Sequence, residues 1–296
     1  MSYTFQKGKY RARIKSSFDR TNGNTGIYSY SEYFPFEYDI SSWETKSWSG
    51  FTPSSGNEIW TDGINIYYSH GYYHYVLDGD TWIPKTWMCS DTGYELNLFN
   101  GKDIWHAYGQ TYLSNDYEQL ILNHETGQWD NVIWNEHQPT YGHCIWTDGE
   151  NVYYSYSEDR QYVLDPLTNT WNIKTWSGLI PGASGIWTDG ENIYDSYYRG
   201  FYDYEHHVLI KSTSTWVEKQ WDEPLYFYGN EVWTDGKNIY CSSTPDFGST
   251  QLIFDKSTST WHTKTWRGFA PGSGSYIWTD GTNIYYSHET DQYVLT

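Results

Sequence analysis

Trp146-Thr147-Asp148-Gly149-Glu150-Asn151-Val152-Tyr153 is one of five near-verbatim copies of a single phrase in this chain. The others begin at Trp60, Trp187, Trp233 and Trp278, and each runs through Thr-Asp-Gly into Asn-Ile-Tyr. An Asp-Gly step supplies the positive φ angles of a two-residue hairpin, so each copy reads as two short antiparallel strands. Copies recur about every forty residues, the length of one four-stranded unit.

Residues 144–176 show the whole unit. An apolar strand a (144–146) meets the Asp148-Gly149 turn, and strand b runs over 151–155. A variable loop, 156–160, leads to strand c (161–165), and strand d carries Trp171 and Trp176. That Trp pair recurs as Trp43/Trp48, Trp82/Trp87, Trp129/Trp134, Trp216/Trp221 and Trp261/Trp266. An odd offset places the two rings on opposite faces of an unbulged strand, which suits a blade flanked by two others. Lys46, Lys85, Lys174, Lys219 and Lys264 stand between the pairs and suit an outer edge strand that must discourage foreign pairing. The unit predicts an all-β β-propeller of four-stranded antiparallel blades.

Counting strand b and c sets predicts seven blades, the first set at 26–29 with 36–39 and the last at 283–287 with 292–295. The last set lacks a strand d, and Thr4-Phe5 followed by Tyr10 imitates Thr170-Trp171 followed by Trp176. Residues 3–10 are therefore expected to complete the C-terminal blade, making 1–296 a single propeller domain.

Aromatic residues make up 21% of the chain against 38% hydrophobic overall, so the interior must be built from Trp and Tyr. With a net charge of −19 and 18 Lys and Arg, nucleic acid and a polyanionic membrane surface are not expected partners. Cys89, Cys144 and Cys241 are too few and scattered for a disulfide framework. The first residues lack the apolar stretch of a signal peptide, and no run reaches the length of a membrane span. The expectation is a soluble protein without membrane insertion, cytoplasmic or part of a virion or other assembly. The sequence leaves oligomeric state open.

Tyr162-Val163-Leu164-Asp165-Pro166-Leu167-Thr168-Asn169-Thr170-Trp171 resembles the kelch-type β-propeller repeat, in which an aromatic and Asp-Pro segment precedes a Trp. The chain departs from that pattern after strand b, where Tyr153-Tyr154-Ser155 and its counterparts replace a double glycine. The resemblance implies a protein-recruiting or ligand-binding scaffold or, in a minority of members, an oxidase or sugar-processing enzyme.

In such a fold the a–b and c–d turns share one face, and the b–c and d–a connections share the other. The first set is repetitive; the second varies, and variation among copies of one repeat marks a binding surface. Its Tyr, Asp and His residues supply rigid rings and adaptable polar groups. The candidate ligand-binding residues are Tyr30, Tyr33, Tyr72, Tyr73, Tyr108, Tyr156, Asp159, Tyr197, Tyr198, Tyr202, Asp246 and His288. Sugars stacking on Tyr, or a protein with a basic patch meeting the acidic rim, both fit this surface.

No nucleophile elbow, phosphate loop or metal-ligand spacing stands out, and no cofactor, metal or catalytic residue is assigned. His137, His143 and Cys144 match no metal motif, and His206 and His207 point to opposite strand faces. The Asp-Gly-x-Asn phrase lacks the alternating acids of a calcium loop. The reading is a non-catalytic binding module. The competing one is a sugar-processing enzyme at the channel mouth, with Asp91, Glu95, His137, His143, Glu223 and Glu231 as first suspects.

Overall fold

The computed structural model describes residues 9–12, 15–16, 29–30, 34–37, 41–96, 101–115, 118–135, 137–157, 160–179, 181, 185–200, 203–221, 227, 229–242 and 251–296. Among them the chain forms a propeller of six blades, not seven. Blade 1 comprises strands Ile59–Thr61, Ile66–His70, Tyr73–Asp78 and Thr81–Pro84, lettered a to d from the axis outward. Blades 2 to 5 follow over 104–131, 145–174, 186–218 and 232–264. Blade 6 takes Ile277–Thr279, Ile284–His288 and Asp291–Leu295 from the C-terminal end. Its strand d is Ser42–Thr45, paired antiparallel with Asp291–Leu295 so that Trp43 stands opposite Leu295.

The expected closure therefore holds in kind and fails in residues. The ring is latched by Ser42–Thr45, not by residues 3–10, most of which lie outside the described residues. The supposed first blade is not one. Lys9–Ala12 pairs with Phe34–Glu37 and Lys15–Ser16 with Ser29–Tyr30, and neither pair joins a blade sheet. That region also lacks a strand-a Trp, which each of the six blades has (Trp60, Trp105, Trp146, Trp187, Trp233 and Trp278).

The Trp residues explain why the number is six. At every blade junction three indoles meet: the strand-a Trp of one blade, the second Trp of its pair, and the strand-d Trp of the next blade. The clusters are Trp60/Trp87/Trp129, Trp105/Trp134/Trp171, Trp146/Trp176/Trp216, Trp187/Trp221/Trp261, Trp233/Trp266/Trp43 and Trp278/Trp48/Trp82, with centroids 5.6–6.3 Å apart. They use all 18 Trp of the chain. In five clusters two rings lie 21–29° from parallel and the strand-d ring meets them edge-on, the arrangement that aromatic quadrupoles favour; in the Trp60/Trp87/Trp129 cluster the first two rings are tilted by 37°. The Trp pair thus spans a junction, with its second ring beyond strand d rather than on the far face of it. Each intervening lysine lies over that second ring, with Nζ 4.5–4.7 Å from the centroid.

The outer edges are protected differently from expectation. After strand d the chain runs alongside strand d of the next blade in parallel: Ser49 beside Thr81, Cys89 beside Trp129, Asn135 beside Thr170, Ser177–Gly178 beside Thr215–Trp216, and Arg267–Gly268 beside Ser42–Trp43. These straps occupy hydrogen-bonding groups that an exposed edge would offer to another chain.

The repeated phrase makes a four-residue turn rather than a two-residue one. In blade 1, Asp62 Oδ1 accepts the N–H groups of Ile64 (2.8 Å) and Asn65 (2.7 Å), and Thr61 Oγ1 donates to the Asn65 carbonyl (2.8 Å). Tyr67 of strand b donates its hydroxyl to Asp62 Oδ2 at 2.9 Å while its ring stacks on Trp60 at 4.4 Å. Burial would raise the Asp62 carboxyl, but the N–H and hydroxyl donors outweigh it and hold the group below the ordinary value. The same turn recurs at Asp148, Asp189, Asp235 and Asp280. Strand-a indoles donate to strand-b serines in all six blades, from Trp60 to Ser69 through Trp278 to Ser287, at 2.8–3.0 Å.

Candidate functional site

Immediately before strand a, the described residues include a single 3-10 turn in five blades: Gly56–Glu58, Gly101–Asp103, Gly142–Cys144, Gly229–Glu231 and Gly274–Tyr276. Strand a is innermost, so the last residue of each turn stands at the mouth of the central channel. The six positions are Glu58, Asp103, Cys144, Gly185, Glu231 and Tyr276. Successive turns press together closely. A Cβ on Gly142 would lie 1.9 Å from the Asp103 carbonyl oxygen, so only glycine lets neighbouring blades approach this far.

The mouth is acidic and held by inter-blade hydrogen bonds. Glu58 Oε2 accepts the Gly101 N–H of the next blade at 2.9 Å, and His70 Nδ1 stands 3.5 Å from Glu58 Oε1. Glu231 Oε2 accepts from Ser273 Oγ (2.8 Å) and the Gly274 N–H (2.9 Å) of blade 6. Burial pushes both carboxyls above the ordinary Glu value, partly offset by these donors. Asp103 has a shorter side chain, and its Oδ1 meets His143 Nδ1 at 2.7 Å. The Asp103 carboxylate, and next the Cys144 side chain, raise the imidazole to about 9, so His143 is cationic at neutral pH. At blade 4 the ring has no side chain. The fully buried Asp195 fills that place, its Oδ1 2.2 Å from where a Gly185 Cβ would stand.

The proposed ligand residues fall in several places. Tyr72 and Tyr73 form the exposed tip of the blade 1 b–c hairpin, 60% and 68% accessible. His288 ends strand b of blade 6, its ring 4.3 Å from that of Tyr276, which joins it to the mouth. Tyr197 lies in the long blade 4 hairpin, Ile193–Gly200 with Asp203–Ile210, and donates its hydroxyl to Glu205 Oε2 at 2.9 Å. Tyr198 stands opposite Tyr204 in the same hairpin. Tyr156 belongs to Val152–Ser157, beside a register shift. Tyr108 is on the other face: with Gly109 it forms the a–b turn of blade 2, both residues left-handed (φ 51° and 75°). Tyr30 pairs with Lys15 in a two-stranded sheet that is not hydrogen-bonded to any blade sheet. Tyr33, Asp159, Tyr202 and Asp246 lie outside the described residues.

Of the catalytic suspects, Glu231 and His143 stand at or beside the mouth, whereas His137 stacks on Tyr162 at 3.7 Å. His206 and His207 do occupy opposite faces; His206 Nδ1 bonds Ser196 Oγ at 2.9 Å, and His207 neighbours Glu205. Glu58, Asp103 and Tyr276 were not singled out as functional from sequence. The available signal was a glycine four residues before the strand-a Trp in five blades, followed by a variable last turn residue. Among the described residues no three His, Cys, Asp or Glu side chains gather to hold a metal ion.

No family model matches the chain, and no curated protein matches it. It is similar in structure to the extracellular domain of BT4673 from B. thetaiotaomicron, described in one structure as a one component system and in another as a hybrid two component system. The TM-scores are 0.51 and 0.50 at 12% identity, covering 86% and 92% of this chain but 40% and 44% of those chains. The chain thus spans about two-fifths of the length of these neighbours, and the likeness is one of fold. Among the described residues no helix is long and apolar enough to cross a membrane.

Proposed function

We propose that the chain is a non-catalytic recognition module whose ligand is met at the channel mouth and the adjoining b–c hairpins, and that this ligand is a glycan. One observation carries the reading. The strand-a Trp, the strand-b Ser it donates to and the Trp triplet at each junction recur in all six blades, while the six mouth positions are Glu, Asp, Cys, Gly, Glu and Tyr. Side chains that only close a ring have no reason to differ from blade to blade; side chains fitted to an asymmetric ligand do. Carboxylates for hydroxyl groups, with Tyr276, His288, Tyr72 and Tyr73 as stacking surfaces nearby, match sugar chemistry. The kelch-like Asp-Pro segment and the neighbours described as extracellular domains support a binding body of this kind.

A panel of neutral and acidic oligosaccharides, with a Lys-rich peptide beside them, tests the proposal by calorimetry. Tyr72→Ser with Tyr73→Ser, and separately His288→Ala, should each weaken glycan binding about tenfold with little change in melting temperature, since exposed rings carry contact and little core. Peptide binding without glycan binding would replace the ligand class. The raised carboxyls of Glu58 and Glu231 favour a second reading as a sugar-processing enzyme. Glycan turnover that Glu231→Gln abolishes would establish it.

A further inference from the structure

Blade 3 departs from the repeat around one cleft. A cavity of about 440 Å³, within the range of small-molecule sites, lies at the b–c end of the blade, on the same face as the channel mouth. Its lining includes Arg160, Gln161 and Tyr162 at the start of strand c, with Ile173, Lys174 and Trp176 at and beyond the end of strand d. Three positions here break the pattern of the other blades. The strand-c residue that pairs with the strand-b Ser is preceded by Tyr73, Glu118, Glu205 and Asp291 in blades 1, 2, 4 and 6, but by Arg160 in blade 3. Opposite Tyr162 stands Ile173, 80% accessible, where the matching ladder positions hold Pro84, Asn131, Glu218, Thr263 and Thr45. On the Tyr162 ring lies His137 at 3.7 Å, in the place of Phe51 on Tyr75 (3.9 Å) and Phe269 on Tyr293 (3.7 Å). Burial first, and then the Arg160 charge, hold the His137 imidazole below the ordinary His value, so the guanidinium is the cation at this place. Lys174 is already engaged: its Nζ donates to Ser214 Oγ at 3.0 Å and lies 4.5 Å over the Trp176 ring. Arg160 is exposed, and no described carboxylate stands within ion-pair distance of it.

Resting on the glycan reading above, we propose that the blade 3 cleft takes the carboxylate-bearing sugar of an acidic glycan. In a chain of net charge −19, three blades place an acid where Arg160 stands, so a cation left without a described carboxylate suits an anion from outside the chain. The planar guanidinium matches a carboxylate with two parallel N–H donors. Ile173 and the rings of Tyr162 and Trp176 give the same cleft apolar surface for the C–H faces of a sugar. One unpaired guanidinium balances the single charge of a carboxylate, whereas the second charge of a phosphate would go unmatched in a body of this sign.

Calorimetry on the full chain with two matched pairs of probes tests this: an oligogalacturonide and its carboxyl-reduced form, and sialyllactose and its carboxyl-reduced form. Within each pair only the carboxylate differs. In at least one pair the acidic member should bind about tenfold more tightly, the scale of a hydrogen-bonded charge. Arg160→Gln should bring the two members within about twofold of each other, and Arg160→Lys, which keeps the charge and loses the fork, should retain only part of the preference. Arg160→Glu, which installs the acid of blades 2, 4 and 6, should reverse it. All three should melt with the parent, since the side chain is exposed. Equal binding of the two members by the parent, or a preference that survives Arg160→Gln, overturns the inference while leaving neutral glycan binding, and the function proposed above, in place. A sulfated oligosaccharide bound more tightly than either acidic probe overturns the assignment to a carboxylate. Binding of none of these probes overturns it as well, and the glycan reading falls with it only if the wider panel of neutral oligosaccharides is also silent.

Discussion

At the scale of single residues, position by position comparison separates what every blade needs from what one blade has changed. One position in the first two residues of strand c is Gln in four blades, at Gln119, Gln161, Gln251 and Gln292, and each amide donates to a proline carbonyl at 2.6–2.9 Å. Blade 1 has His74 there, 2% accessible, its Nε2 3.1 Å from the Leu96 carbonyl oxygen. Burial holds this imidazole below the ordinary His value, against the Leu96 carbonyl and Glu95. A depressed folded value means that the unfolded chain binds the proton more readily. The stability His74 supports is therefore present above about pH 6.5 and lost as pH falls through the folded value. His74→Gln restores the group used elsewhere, so its melting temperature should match the parent near pH 7.5 and exceed it increasingly toward pH 5. A gap that stays constant with pH would show that His74 does not titrate on unfolding.

At the scale of elements, the straps between blades were not legible. The sequence shows Trp pairs five residues apart, and that offset fits either one continuous strand or a strand followed by a crossing segment. Only the structure decides for the second, with Gly50 and Gly178 marking the crossing. Gly178 has φ 82°, and a Cβ there would lie 2.3 Å from the Trp216 carbonyl oxygen. Gly178→Ala combines an unfavourable dihedral with a collision against backbone, and it should cost more than about 1 kcal/mol and lower the melting temperature by a few degrees. A melting temperature unmoved by Gly178→Ala would mean that the strap is not a tight element in solution. The a–b turn shows the opposite case. Thr, Asp, Gly and Asn of the repeated phrase each have a bonding role, so its existence was readable, although the loop has four residues where the Asp-Gly pair suggested two.

At the scale of the whole molecule, fold class is legible because the repeat is near-verbatim, whereas strand b and c sets point to seven blades and the indole triplets to the six that form. Residues 26–39 have the aromatic alternation of strands but no Trp, and without Trp they have nothing to wedge between blades. The channel mouth was only half legible. Its residues vary by design of the repeat, so they resemble noise until the fold lines them up on one axis. The latch carries a further expectation. Trp43 is 4% accessible and sits in the Trp233/Trp266 junction, so Trp43→Ala removes a core ring and frees the strand that closes the circle. Loss of a buried Trp costs about 3–5 kcal/mol. Trp43→Ala should match or exceed Trp171→Ala in lost stability, and it alone should speed amide exchange over Asp291–Leu295. Equal exchange in the two variants would show that closure does not depend on this ring.

Because blade 6 joins Ser42–Thr45 to Asp291–Leu295, the wheel cannot close before residues 291–295 have been made. The early strand leaves the ribosome first and must wait, its Trp uncovered, for some 250 residues, which at roughly 5–20 residues per second means some tens of seconds. Throughout that interval the nascent protein is an open arc with one sticky end.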